Sequence, residues 1–341
     1  MGPSWDSSPR CGVEVRGLQL ATLSPEGMQE VTRRFAEHGV VYFRDVGPDF
    51  GPERHMEFAQ CFGGINVNRF FPQVEGYEGI AKVEKTPEQK EAIGDVFHAD
   101  HTYDLAPALG SMLVARELPA TGGDTVFCSM YAAYESLPQD VKCCVDGMRA
   151  VHSSRHTFGR KTKLYQNAGA ATQDNVHPVV ITHPLSGRKA LFVNPAFTLH
   201  FEGQTIDESA PLLEALYHHA VRPEHCHRFK WTRGSAALWD NRCVWHCALN
   251  DYHGDSRLMH RITIDGVKLE AGSTRAGTSR PFKGVPVDAL AHADGPSAST
   301  HVKMLYSTRQ FGLHGVGEPA PFPPLTSQNV ASAETACLGK L

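Results

Sequence analysis

The sequence predicts a mainly β chain with inserted helices, closed into a jelly-roll (double-stranded β-helix) core. Three observations point there: short apolar runs rich in β-branched and aromatic residues recur along most of the chain, Gly-, Pro- and Asp-containing turns separate them, and helical patterns are few and isolated. Many short strands broken by occasional helices favour a jelly roll or barrel over a doubly wound sheet, in which strands and helices alternate.

The first element is a helix over 24–39, "SPEGMQEVTRRFAEHG". Ser24 is a good N-cap, Pro25 fits the first turn, Met28, Val31 and Phe35 form an apolar stripe, and Gly39 can end the helix. "VVYF" (40–43) follows as a short buried strand, and "PERHMEFAQCFG" (52–63) as a second helix with Met56, Phe58 and Phe62 inward. Strands are then expected at 80–85, 96–103, 110–119, 124–129, 179–184, 189–194, 229–240, 242–249 and 260–267. Turn signals stand at Pro107, Gly122-Gly123, Ser186-Gly187, Arg233-Gly234 and Asp265-Gly266. Helices interrupt at about 130–147 and 208–221. Beyond the domain of 1–271 the composition turns to Gly, Ser, Thr and Pro, so 272–341 is expected to be an extension that wraps the domain or is partly mobile.

Composition excludes several functions. The chain has 341 residues, 41% hydrophobic and 21% charged, with a net charge of -4, which is ordinary for a globular protein and offers no broad basic surface for nucleic acid. No apolar run reaches the roughly 18 residues of a membrane helix, and "MGPSWDSSPRCG" lacks the pattern of a secretory signal. The nine Cys are scattered without a C-x-x-C pair, so free thiols in a reducing compartment are expected. Cytosol is therefore the expected location, and the C-terminal "LGKL" is only distantly similar to the peroxisomal Ser-Lys-Leu. Homo-oligomerisation is left open.

The 19 His are mostly surface residues by expectation, but "DVFHADHTYDLAP" (95–107) concentrates two with a carboxylate among apolar neighbours. In a strand, residues i and i+2 share a face, so His98 and Asp100 project together. Two His and one carboxylate form the facial triad that binds non-haem Fe(II) and leaves positions open. The third ligand is sought in "ALWDNRCVWHCALNDY" (237–252), where His246 lies in an apolar run. Alone, His246 reads as a core histidine, and a single His-x-Asp is a weak pattern.

The pattern as a whole resembles the taurine dioxygenase family of Fe(II)- and 2-oxoglutarate-dependent oxygenases. The matching stretches are "HGVVYFRD" (38–45), "FHADHTY" (97–103), "ELPATGGDT" (117–125), "WDNRCVWHCALNDY" (239–252) and "RLMHRITI" (257–264), in order, over about 12–266. The resemblance implies that His98, Asp100 and His246 hold the iron, and that Arg257 and Thr125 hold the distal carboxylate of 2-oxoglutarate. It implies that Arg261 faces an anionic group on the prime substrate. Guanidinium suits these roles because it grips a carboxylate with two parallel hydrogen bonds. The implied reaction consumes O2 and 2-oxoglutarate, releases succinate and CO2, and hydroxylates a C–H bond. Related halogenases lack the carboxylate ligand, so the presence of Asp100 favours hydroxylation.

By the same register, the polar groups that would bind taurine are replaced by Asn68, Phe71 and Gly94. Phe158 and Phe197 are expected either to keep the pocket apolar or to serve the core. The expected substrate is a small organic anion with an apolar body: a carboxylate, sulfonate, sulfate ester or phosphonate. His101 is expected to be a polar neighbour of the site, His260 to face the other side of its strand, and Trp239, Asp240 and Asn241 to shape the turn before His246. Two rivals remain: a zinc hydrolase using the same His/Asp/His set, and a catalytically dead binding protein on the same fold. Nothing in the zinc reading explains Thr125, Arg257 and Arg261 together, and a dead site is disfavoured because every expected ligand is present.

Overall fold

The computed structural model describes residues 2–7, 9–158, 165, 167 and 173–269, so the expected extension 272–341 lies outside the described residues. The first part of the chain forms β1 (Ser4–Asp6), β2 (Val13–Arg16), helix α1 (Pro25–His38), β3 (Val40–Phe43), helix α2 (Pro52–Gln60), β4 (Ile65–Asn66), β5 (Gln73–Val74), β6 (Tyr77–Lys85) and β7 (Gly110–Glu117). The middle forms β8 (Thr125–Ser129), α3 (Met130–Glu135), α4 (Gln139–Val145), β9 (Arg149–Ser153), α5 (Arg155–Phe158), β10 (Asp174–Pro178), β11 (Val180–Thr182), β12 (Lys189–Leu191), β13 (Thr198–Phe201) and α6 (Ile206–Ala220). The last part forms β14 (Cys226–Phe229), β15 (Ala236–Asp240), β16 (Val244–Ala248) and β17 (Arg257–Ile264).

The large sheet runs β1-β2-β3-β15-β7-β17-β6-β5, with β4 paired to β17, and β14-β8-β16 forms a smaller one. Every pairing in these sheets is antiparallel except β2 with β3. Leu113, Ala237 and Met259 of the large sheet share one core with Phe127 and Trp245 of the small one. Two layers closed over a common core are the architecture that the strand pattern predicts. On the other side of the large sheet, Phe35 and Phe58 of α1 and α2 cover Val41, Met112, Leu238 and Ile262. Helix α1 follows its sequence signals: the Ser24 hydroxyl accepts from Gly27 N at 3.2 Å, and Gly39 takes φ 74° and donates to Phe35 O. That left-handed turn is cheap only for glycine.

Four expected elements differ. The strand expected at 96–103 is a single bridge, His98 to His246, followed by turns with His101 at φ 57°. It stops because the next inward N–H, that of Asp100, goes to the Asn241 side chain instead of a ladder carbonyl. The run 229–240 breaks between β14 and β15, where Gly234 at φ 78° turns the chain from the small sheet to the large one. The helix expected at 130–147 splits into α3 and α4, because Pro138 has no N–H to continue it. The strand expected at 260–267 starts earlier, at Arg257, and ends at Ile264. The three-stranded sheet β10-β9-β13 was not expected, since stretches such as "DNVHP" show no apolar alternation.

Candidate active site

Backbone pairing brings the two histidines together. His98 N donates to His246 O at 3.1 Å and His246 N to His98 O at 2.8 Å, which sets the rings 4.1 Å apart at 45°. Asp100 completes the group, with its oxygens 3.6 Å from His98 Nε2 and 3.8 Å from His246 Nε2. One donor atom from each of the three lies within 4.8 Å of the others. His98 Nδ1 is 2.7 Å from Val96 O. A carbonyl only accepts, so Nδ1 carries a hydrogen and Nε2 is the ring nitrogen turned toward the group.

The protonation states suit metal binding. Burial alone raises the Asp100 carboxyl, but Arg261, His246 and His98 outweigh it and hold the group well below the usual carboxylate range. Burial, reinforced by His98, pushes His246 well below its ordinary value, so the ring is neutral. Ser111 Oγ donates to Asp100 Oδ2 at 2.9 Å, and Arg261 Nη1 lies 3.4 Å from Oδ1. Two imidazoles and one oriented carboxylate fit a divalent iron by donor type and count. A second group, His183, Asp240 and Cys243, is equally close. There the Asp240 carboxylate is already neutralised by Arg242, 2.5 Å away, and bonded to His183.

Two arginines enter from β17, four positions apart and both buried. Arg257 is 4% exposed, and its Nε and Nη2 have no hydrogen-bond partner. Burial lowers its pKa from the ordinary value, yet a guanidinium stays charged at neutral pH. These two nitrogens form one edge of the fork, the geometry that takes a carboxylate in two bonds. Gly123, at φ 69°, leaves that side open; a β-carbon there would sit 3.4 Å from Nε. Thr125 Oγ1 accepts from Trp231 Nε1 at 3.0 Å, which leaves its own hydrogen to donate. Arg261 has its Nε without a partner and stacks over Phe71 at 4.8 Å.

All six side chains line one cavity of about 100 Å³. Phe71, Phe158 and Phe197 are on its wall, as are Tyr103 and Tyr165. Asn68 also lines it, but its amide is engaged: Oδ1 accepts from Phe70 N at 2.9 Å and Nδ2 meets His101 Nε2 at 3.2 Å. Gly94 gives His98 room, since a β-carbon would come within 3.2 Å of its Cε1. His101 lies on the wall, held at Nδ1 by Asp104 at 2.9 Å. His260 is outside the cavity and meets Arg116 at 3.3 Å. Sequence reasoning missed Ser111 and Trp231; only Ser111 carried a signal, a polar residue inside the apolar strand "GSMLVA".

A two-layer β fold that gathers two His and one carboxylate beside an unpaired buried guanidinium defines the non-haem Fe(II) oxygenases that use 2-oxoglutarate as cosubstrate. Within that class the chain belongs to the taurine dioxygenase family: residues 5–263 match the family described as "Taurine catabolism dioxygenase TauD, TfdA family". It is 30% identical over 271 residues to the alpha-ketoglutarate-dependent sulfate ester dioxygenase of Pseudomonas putida, covering 75% of this chain and 87% of that one. It is 34% identical over 276 residues to the alpha-ketoglutarate-dependent 2,4-dichlorophenoxyacetate dioxygenase of Cupriavidus pinatubonensis, covering 74% and 94%. Among solved structures, a taurine dioxygenase from Burkholderia xenovorans is similar at a TM-score of 0.67 and 30% identity, covering 80% of this chain and 93% of that one. Fe(II), 2-oxoglutarate and O2 are the cofactor and cosubstrates of this enzyme class. Among the described residues no helix is long and apolar enough to cross a membrane.

Proposed function

We propose that the protein hydroxylates a C–H bond of a small organic anion with an apolar body, releasing succinate and CO2. The observation that carries this is the pair of buried guanidiniums on one cavity wall, each with an unpartnered N–H, beside the three metal-ligand candidates. Arg257 has an open two-nitrogen edge and Arg261 keeps a free Nε beside its contact with Asp100, which suits one anion on the cosubstrate and one on the prime substrate. The named relatives act on a sulfate ester and on an aryloxyacetate, both small anions.

In this reading His98, Asp100 and His246 hold Fe(II), which supplies O2 activation coupled to decarboxylation of 2-oxoglutarate. Arg257 grips the distal carboxylate of the cosubstrate through its Nε–Nη2 edge, and the Thr125 hydroxyl donates to the same group. Arg261 offers its Nε to the anionic head of the substrate while its Nη1 stays with Asp100. Phe71, Phe158 and Phe197 exclude water and hold the apolar body. Asn68 shapes the wall through His101. A zinc hydrolase would have no use for the open Arg257 edge. Free cysteines and a net charge of -4 support a cytosolic enzyme without a nucleic-acid partner.

The test is succinate release with Fe(II), ascorbate and 2-oxoglutarate across alkyl sulfates, sulfonates, aryloxyacids and their neutral esters. Anionic members should stimulate turnover and the matched neutral ones should not. Equal stimulation by both sets would remove the anion from the proposal. No succinate under any condition would favour the dead binding protein.

A further inference from the structure

Asn241 does more than shape the turn between β15 and β16. That turn is closed by its neighbour: Asp240 Oδ1 accepts from Arg242 N at 2.9 Å and from Arg242 Nε at 2.8 Å. The Asn241 side chain is thereby released to point into the molecule, where it is 1% exposed. Its Oδ1 accepts from Asp100 N at 3.1 Å and from Trp239 Nε1 at 3.0 Å. Both partners are N–H donors, so the accepting atom is the amide oxygen. The amide nitrogen, Nδ2, is buried with no partner. A buried donor left unmade is costly, so the side chain is not there for its own turn.

The two donors lead to two different members of the metal-ligand group. Asp100 follows the His98–His246 bridge, beyond which the backbone has no ladder to hold it, and the next residue is in the left-handed region. Asn241 Oδ1 replaces the missing ladder partner. Trp239 lies against the His246 ring, with centroids 4.5 Å apart at 48°. One oxygen atom therefore fixes the Asp100 backbone and the indole that seats His246.

We propose that Asn241 is a positioning residue for the metal centre, setting the spacing of Asp100 and His246 through the single acceptor Oδ1. This rests on the reading of His98, Asp100 and His246 as the ligands. Removing the oxygen lets Asp100 and the Trp239 ring relax separately, and the three donors lose their common focus. Outer partners of this kind typically change metal affinity by about 10–100-fold.

The test uses the full chain stripped of metal and titrated with Co(II), reading both the dissociation constant and the visible spectrum. Asn241→Leu, of similar size but without an acceptor, should weaken Co(II) binding by about 10–100-fold and shift the spectrum. Asn241→Asp keeps the oxygen and should retain most of the affinity. Trp239→Phe keeps the ring, loses the N–H, and should shift the spectrum with a smaller loss; it carries the test alone if Asn241→Leu does not fold. Wild-type affinity and spectrum in Asn241→Leu or in Trp239→Phe overturns the proposal, as does an Asn241→Asp variant no better than Asn241→Leu. Asp100→Ala separates the two levels. If it binds Co(II) as wild type does, the ligand assignment itself fails; if it loses Co(II) while Asn241→Leu does not, only the positioning role fails.

Discussion

Arg261 and Asp100 touch: Nη1 of one lies 3.4 Å from Oδ1 of the other, and both side chains are nearly fully buried. The arginine assigned to the substrate anion is thus also the nearest cation to a metal-ligand candidate. Its two ends serve different partners, Nη1 the carboxylate and Nε the open cavity. If the proposed roles hold, substrate affinity and metal retention are coupled through one guanidinium.

Arg261→Ala should therefore act twice. It should weaken the stimulating substrate by about ten- to a hundredfold, the worth of a charged hydrogen bond of roughly 1.5–3 kcal/mol. It should also tighten Fe(II) binding, because the buried Asp100 carboxylate loses the cation that competes with the metal for it. Succinate release with and without substrate, at several iron concentrations, measures both. If substrate response falls while iron dependence is unchanged, the contact with Asp100 has no energetic weight.

Arg257→Lys should raise the Michaelis constant for 2-oxoglutarate by about ten- to a hundredfold with a smaller change in kcat, since charge is kept and the two-pronged edge is lost. Steady-state kinetics at saturating substrate checks this. An unchanged constant would mean that the open Nε–Nη2 edge is not the cosubstrate's seat.

His98→Ala, Asp100→Ala and His246→Ala should each abolish turnover and remove bound iron. Metal content and succinate release check this, and a wild-type circular dichroism spectrum distinguishes ligand loss from a damaged fold. Full activity in any one variant would take that residue out of the group.

Acid should destabilise the fold through buried neutral histidines. Burial, with Arg116 and His260 adding to it, lowers His55 to about 3, and neither ring nitrogen makes a hydrogen bond of normal geometry. Burial, with Arg222 and His225, lowers His219 to about 4. An unfolded histidine titrates near ~6.5, so below that pH the unfolded chain takes a proton that the folded site refuses. Stability is full above the unfolded value and is lost as pH falls. Each such residue accounts for about 1.4 kcal/mol between pH ~7.5 and ~5.5. Urea unfolding of wild type and His55→Leu at the two pH values tests the sign: the variant should lose less stability on acidification. An equal loss would place the pH dependence elsewhere.

Local signals were legible in the sequence where local physics decides. Ser24, Pro25 and Gly39 bound α1, as their capping chemistry predicts. The pairing of His98 with Asp100 is a more instructive case. Strand alternation put His98 and Asp100 on one side, and they do lie together, but the segment is a single bridge, and what holds Asp100 is Ser111, Asn241 and Arg261. Ser111 is 11 positions away, but Asn241 and Arg261 lie 141 and 161 positions away, so no local window of sequence contains them. Asn241 read as a turn residue for the same reason: its turn is local and visible, while its hydrogen bond to Asp100 exists only once the two sheets have closed. Arg233-Gly234 reads as a turn, but the change of sheet made there and the sheet β10-β9-β13 were hidden because topology, not apolar periodicity, sets them.

The aromatic rings around the cavity have a consequence for how such an enzyme diversifies. Phe71, Tyr103, Phe158 and Phe197 form a cluster separate from the two that hold the sheets and helices together. Truncating a fully buried Phe costs about 3–5 kcal/mol, a large share of a typical margin of roughly 5–15 kcal/mol, but here the loss falls on a wall and leaves the load on both cores untouched. A lineage can therefore trade one ring for another shape, admit a new carbon skeleton, and keep the same iron, the same cosubstrate and the same folding route. Catalytic chemistry is inherited from the sheets, and diet is negotiated at the wall.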